Sequence, residues 1–183
     1  MPEFVTDGLG LIFITNMAII VEGVIADIID DYCVNNNTTP NWGVNLEKAT
    51  WFNKNSKYNS LFAKKLESYR GYDAIDILFQ FRNNVAHGLA HIEESSIQEL
   101  TNNTSPLKST NNNYQKIRKF LIKRQIVKAT DISSNANHLR KFNTAIYFWL
   151  ETRCFLEDIL RHNESPFNEG IKSEWSTAIS GRG

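Results

Sequence analysis

The chain has 183 residues, 42% of them hydrophobic and 22% charged, proportions that fit one globular domain and exclude a disordered segment, a collagen-like repeat or a membrane bundle. Twenty Lys and Arg balance twenty Asp and Glu, so net charge is silent about a polyanionic partner until the charges are located. They are segregated: before Lys48 every charge is acidic (Glu3, Asp7, Glu22, Asp27, Asp30, Asp31, Glu47), whereas residues 114–142 hold Lys116, Arg118, Lys119, Lys123, Arg124, Lys128, Arg140 and Lys141 against Asp131 alone.

Residues 9–32 repeat apolar side chains at helical spacing, with Met17, Val21, Val24 and Ile28 flanked by Ile25, Ile29 and Tyr32, and predict a long, mostly buried first helix. Its apolar stretch, residues 8–21, is interrupted by Asn16 and closed by Glu22, short of the roughly 20 residues of a membrane span. No basic residue precedes it, as a signal peptide would require; the expectation is a cytoplasmic protein that engages no membrane. The turn-formers Asn35, Asn36, Asn37, Thr38, Thr39, Pro40, Asn41 and Gly43 stop the helix. Two shorter helices are predicted over residues 46–52 and 60–68, the second carrying Leu61, Phe62 and Leu66.

A stronger helix follows Gly71, with Ile75, Leu78, Phe79, Val85 and Ala86 on its apolar side and Gly88 as its terminator. Residues 93–113, rich in Ser, Thr and Asn and containing Pro106, read as a polar surface excursion. A basic amphipathic segment over 115–128 precedes a last long helix over 137–162 that carries Phe142, Ile146, Trp149, Leu150, Phe155, Leu156 and Ile159. Strand alternation and internal repeats are absent from the pattern, so the fold class is all-α: a single-domain helical bundle over residues 1–183 with long first and last helices. Cys33 and Cys154 are too few and too distant in sequence for a disulfide framework or zinc knuckle, and two reduced, buried thiols are expected.

The chemistry concentrates in Phe81-Arg82-Asn83-Asn84-Val85-Ala86-His87-Gly88. Arg82 continues the stripe of Ile75 and Phe79, where a guanidinium needs a partner. Glu22 is equally out of place among Ala18, Ile25 and Ala26; a Glu22 to Arg82 ion pair is one solution, and a solvent-facing position for each at an edge of its stripe is the other. Asn83 and His87 stand four residues apart on one helical face, so the amide can orient the imidazole. Arg82 and His87, five apart, diverge by about 140° on a straight helix and converge at a frayed end or across two copies of the chain. His91 follows His87 by four residues, but Gly88 breaks the helix between them and a third ligand is not evident; no metal and no cofactor are expected. His138 and His162 read as surface residues. The residues Ile117, Phe120, Leu121 and Ile126 let the basic segment dock while Lys116, Arg118, Lys119, Lys123 and Arg124 face a phosphate backbone; a solvated helix face is the competing interpretation. Tyr147, Phe148 and Trp149 read as core.

Arg82, Asn83 and His87 resemble, in order and type, the R-x(4–6)-H motif of the HEPN superfamily, and the setting is similar as well: a long first helix with an internal Glu, an apolar helix before the motif, Gly88 after it, and a long closing helix. The resemblance covers residues 9–162, with residue-by-residue matching in the motif alone. It implies an endoribonuclease that needs no metal, dimerises around the motif helix into a composite cleft, and leaves 2′,3′-cyclic phosphate ends. His87 would move protons, Arg82 would stabilise the phosphorane charge, Asn83 would position, and Glu22 would support. Toxins and antiphage effectors are the implied setting, with a neutralising antitoxin or regulatory protein as partner. The alternative is a non-catalytic HEPN-like dimerisation or scaffold module.

Overall fold

The computed structural model describes residues 3–39, 50–86, 112–128 and 142–162, and among them the regular structure is entirely helical. The elements are α1 (Glu3–Asn35), α2 (Trp51–Leu61), a 3-10 turn (Leu66–Ser68), α3 (Tyr72–Ala86), α4 (Asn112–Lys123) and α5 (Phe142–His162). The all-α expectation, with a long helix at each end of the series, therefore stands. The chain divides into two compact units, one of residues 1–18 and 76–149, the other of residues 19–75 and 150–183.

α1 is longer than its periodic core. It buries Ile14, Met17, Ala18, Val21, Val24, Ile25, Ile28, Ile29 and Cys33, one continuous stripe on a helix that is apolar around most of its circumference. It ends where the asparagines begin, because Asn37 adopts φ 50°. The Asn37 N–H then donates to Val34 O and the Thr38 N–H to Cys33 O, the paired bonds of a Schellman cap. The hydropathy reading needs correction here: Glu22 does not end the apolar segment, and Ile12–Asn35 is long and apolar enough to cross a bilayer, with 50% of its most apolar window buried within the protein.

In the second unit α2 takes in the end of the first short helix expected here and the start of the second. Thr50 caps its first turn, its hydroxyl accepting from the Asn53 N–H at 3.4 Å. The buried stripe is Trp51, Lys54 and Tyr58, and a lysine within that stripe hides the helix from a hydrophobicity pattern. Of the expected 60–68 helix only the 3-10 turn and the last residues of α2 form; residues 46–49 lie outside those described. Tyr58 stacks on Phe62 at 4.4 Å and its hydroxyl meets that of Tyr69 at 3.0 Å, while Tyr69 and Tyr72 both pack on Phe155 of α5. Asp158 ties the turn before α3 to α5, accepting from the Arg70 N–H at 3.1 Å, with Lys64 at 3.9 Å and His162 at 3.1 Å. His162 is exposed, as expected of a surface residue.

The first unit joins α3, α4 and the start of α5. Phe81 packs on Phe148, and Phe120 on Tyr147, with ring centres 6.4 Å and 6.2 Å apart. α4 stops at Lys123 rather than continuing to 128, since Gln125 takes φ 59° and the Gln125 and Ile126 N–H groups close a second Schellman cap on Ile122 O and Leu121 O. The start at Asn112 places the end of the expected excursion inside a helix; residues 93–111 and 137–141 lie outside those described. On α5 the apolar stripe differs from the expected one. Ala145, Phe148, Thr152, Phe155, Leu156 and Ile159 are buried, whereas Ile146 and Leu150 are 41% and 52% exposed; α5 is apolar on more than one face, and periodicity alone does not choose between them. Cys33 is buried but Cys154 is only half-buried, and both are free thiols.

Gly71 opens α3 at φ +84°, and a Cβ there would stand 2.8 Å from the Glu151 carbonyl oxygen. Both the backbone conformation and the contact demand glycine. Gly71→Ala is expected to lower unfolding free energy by roughly 1–3 kcal/mol, measured by urea denaturation; an unchanged midpoint would contradict this packing of α3 on α5.

Candidate functional site

Arg82 and Asn83 lie in the C-terminal part of α3. Leu78, Phe79 and Phe81 are buried and hold the helix in the first unit, Arg82 is half-buried, and Asn83 is exposed. The helix anchors the base of the arginine side chain and leaves its head to adopt a polar position. Its Nη1 donates to Asn83 Oδ1 at 3.4 Å, and the guanidinium carbon stands 5.8 Å from the centre of the Phe79 ring, within the range of a cation–π contact. Arg82 lies near the C-terminal end of α3, where carbonyl dipoles favour a cation. A planar guanidinium can pair with a phosphate or carboxylate through two parallel N–H groups. His87, Gly88 and His91 lie outside the described residues, as does His138, so the geometry of Arg82 and Asn83 is the part of the motif that is defined.

α4 belongs to the same unit as this end of α3. It buries Ile117 and Leu121 and exposes Lys116, Lys119 and Lys123, with Arg118 half-buried; Arg124 is exposed beyond the helix end and stands 5.5 Å from the Phe120 ring. The amphipathic expectation is met at the level of side chains: one face docks and the other carries cations to solvent. Ile126 is half-buried, and Val127 joins the buried set. Among the aromatic residues of α5, Phe148 is fully buried, as expected, while Tyr147 and Trp149 are half-buried.

Glu22 belongs to the second unit and Arg82 to the first. Within the second unit Lys54 of α2 stands 3.9 Å from Glu22, with the two side chains 11% and 12% exposed. Sequence reasoning passed over Lys54 because nothing in its local pattern marks it as inward-facing; its spacing from Trp51 and Tyr58 is the one available signal. Lys54 also acts on Asp30. Burial raises the Asp30 carboxyl above its ordinary range, Asp27 adds to the rise, and Lys54 opposes it. Asp31 is likewise raised, by burial first and then by Asp27 and Asp30, and burial raises Asp27 itself. Oδ1 of Asp30 and Oδ2 of Asp31 are buried and accept no hydrogen bond from the described residues, which is why desolvation leads. Among the described residues no group of three or more His, Cys, Asp or Glu side chains is arranged to hold a metal ion.

Compared with protein-family models, with curated proteins and with solved structures, the chain matches none.

The acidic stretch of α1 carries a defined pH dependence. A carboxyl whose folded pKa is raised opposes folding while it is ionised, and the cost is relieved as pH falls through the folded value. Lys54→Met removes the cation facing Glu22 and Asp30 and is expected to destabilise the protein at neutral pH by about 1–3 kcal/mol. The deficit relative to wild type should narrow on acidification, as protonation removes the charges left behind. Denaturant titrations of both proteins across that range check this; a deficit independent of pH would show that Lys54 acts by packing alone.

Proposed function

We propose that the chain is an endoribonuclease of the HEPN type, which cleaves RNA by attack of a ribose 2′-hydroxyl on the adjacent phosphate. The observation that carries the reading is the braced Arg82 and Asn83 pair at the end of α3, in the unit that also exposes the lysines of α4. In this reading Arg82 neutralises charge that develops on the phosphorane, since guanidinium keeps its proton at any accessible pH. Asn83 holds the guanidinium in position and orients His87 or a phosphate oxygen. His87 removes the proton from the 2′-hydroxyl or returns one to the leaving 5′-oxygen, and the products are a 2′,3′-cyclic phosphate and a 5′-hydroxyl. Lys116, Arg118, Lys119, Lys123 and Arg124 hold the RNA backbone. The reading includes a homodimer with a composite cleft, residence in the cytoplasm, and a toxin or antiphage role under a neutralising or regulatory partner.

A scaffold reading is favoured by one different observation: Ile12, Phe13, Ile19, Ile146 and Leu150 are large apolar side chains left exposed on α1 and α5, surfaces suited to assembly.

Incubation of purified protein with total cellular RNA in EDTA separates the two. Wild type is expected to cleave and to leave cyclic phosphate ends, with Arg82→Ala and His87→Ala each reducing the rate by about 100-fold or more. Undiminished cleavage in both variants would remove the motif from the mechanism, and absence of cleavage by wild type would favour the scaffold.

RNA affinity offers a separate measurement. Replacement of Lys116, Lys119 and Lys123 by Glu is expected to weaken binding of a single-stranded RNA and to flatten its dependence on salt, because fewer counterions are released. Equal affinity and an equal salt slope would return α4 to the status of a solvated surface.

A further inference from the structure

α4 carries a second pattern beside its lysines. Lys119 and Lys123 form one row along the helix, and Lys116, Phe120 and Arg124 form the adjacent row at four-residue spacing, so an aromatic ring and a guanidinium border the cationic face. Lys116, Lys119, Lys123 and Arg124 are exposed, whereas Phe120 is half-buried and packs on Tyr147 of α5, with ring centres 6.2 Å apart. The Arg124 guanidinium carbon stands 5.5 Å from the centre of the Phe120 ring, within cation–π range. The backbone of Arg124 is fixed as well: its N–H donates to Phe120 O at 3.0 Å, the cap bonds of Gln125 and Ile126 follow directly, and Val127 is buried beyond them. No acidic residue lies between Glu99 and Asp131, and no carboxylate among the described residues pairs with any of the four exposed cations.

We propose that Arg124, backed by Phe120, is a stacking site for one unpaired nucleobase, set beside the lysines that hold the phosphates of the same strand. The inference deepens the ribonuclease reading and rests on its assignment of α4 to RNA. A guanidinium is planar, weakly hydrated and permanently charged. Because Arg124 is exposed, a base reaches its plane from the side away from the Phe120 ring, and bases stack on guanidinium planes as they do on aromatic rings. Lysines alone read phosphate and do not distinguish a single strand from a duplex. A duplex keeps its bases stacked inward and offers none to Arg124, so the site selects a single strand. An acidic polypeptide is the other polyanion that lysines attract, but a carboxylate pairs with the edge of a guanidinium and leaves its face unused.

The test is fluorescence anisotropy of the full chain with 2′-O-methyl oligonucleotides, which lack the attacking hydroxyl and so bind without being cut. Three probes are compared: a short single strand of alternating cytidine and adenosine, the same strand annealed to its complement, and an abasic strand of equal length. Arg124→Lys keeps the charge and loses the plane; it is expected to weaken binding of the single strand about 10-fold while affinity for the duplex and the abasic strand, and the salt dependence, stay close to wild type. Phe120→Leu, shown to be folded by thermal denaturation, is expected to act in the same direction. Equal affinity of wild type and Arg124→Lys for the single strand, an equal loss on all three probes, or no binding of any probe would overturn the site. Displacement of the single strand by polyglutamate as readily as by unlabelled strand would also overturn it, by giving the surface to an acidic protein. Cleavage of total RNA in EDTA that Arg82→Ala abolishes, found together with any of these results, would leave the ribonuclease standing and remove the stacking site alone. Base-dependent binding lost in Arg124→Lys, without cleavage by wild type, would support the site and overturn the ribonuclease.

Discussion

Burial of one face of α1 is the constraint from which most of the structure's other features follow. Nine side chains from Ile14 to Cys33 leave water along that face, and each fully buried Ile or Val contributes about 1.5–3 kcal/mol before the entropy of ordering is counted. The same helix carries Glu22, Asp27, Asp30 and Asp31, so folding it draws carboxylates toward a low-dielectric surface. Lys54 is the response within the second unit: a lysine sits in the buried stripe of α2 and reaches toward Glu22 and Asp30. The raised Asp30 and Asp31 carboxyls record what that cation leaves uncompensated.

Around this helix, polar groups fix the ends and joints of the others. Asn37 and Gln125 take left-handed backbone angles to close α1 and α4, and Gly71 takes one to start α3 against the Glu151 carbonyl. Asp158 gathers the Arg70 N–H, Lys64 and His162, so one carboxylate on α5 holds the chain that leads into α3. In the first unit aromatic packing does the equivalent work: Phe81 on Phe148 fixes the end of α3 from which Arg82 and Asn83 emerge. There the Arg82 guanidinium stands near the Phe79 ring and donates to the Asn83 amide oxygen.

The helices with strong periodicity were legible from the residues alone. α3 begins after Gly71 as expected, α1 stops at its asparagine cluster, and the basic segment forms a helix with Ile117 and Leu121 inward. α2 was misread because its inward stripe contains Lys54, and a charge in a stripe looks like a surface position until a second helix brings Glu22 beside it. Ile146 and Leu150 were assigned to the apolar stripe of α5, yet the structure buries its neighbours instead, because two faces of that helix are apolar enough to serve.

The sequence by itself determined helix content, the placement of the strongest helices, the segregation of acidic and basic residues, and the adjacency of Arg82 and Asn83, all consequences of local spacing that each residue carries with it. Tertiary structure alone decided which apolar face is buried, that Lys54 stands beside Glu22, and which carboxyls are raised. Those outcomes depend on desolvation and on distances between segments far apart in the chain, and neither quantity is a property of any local run of residues.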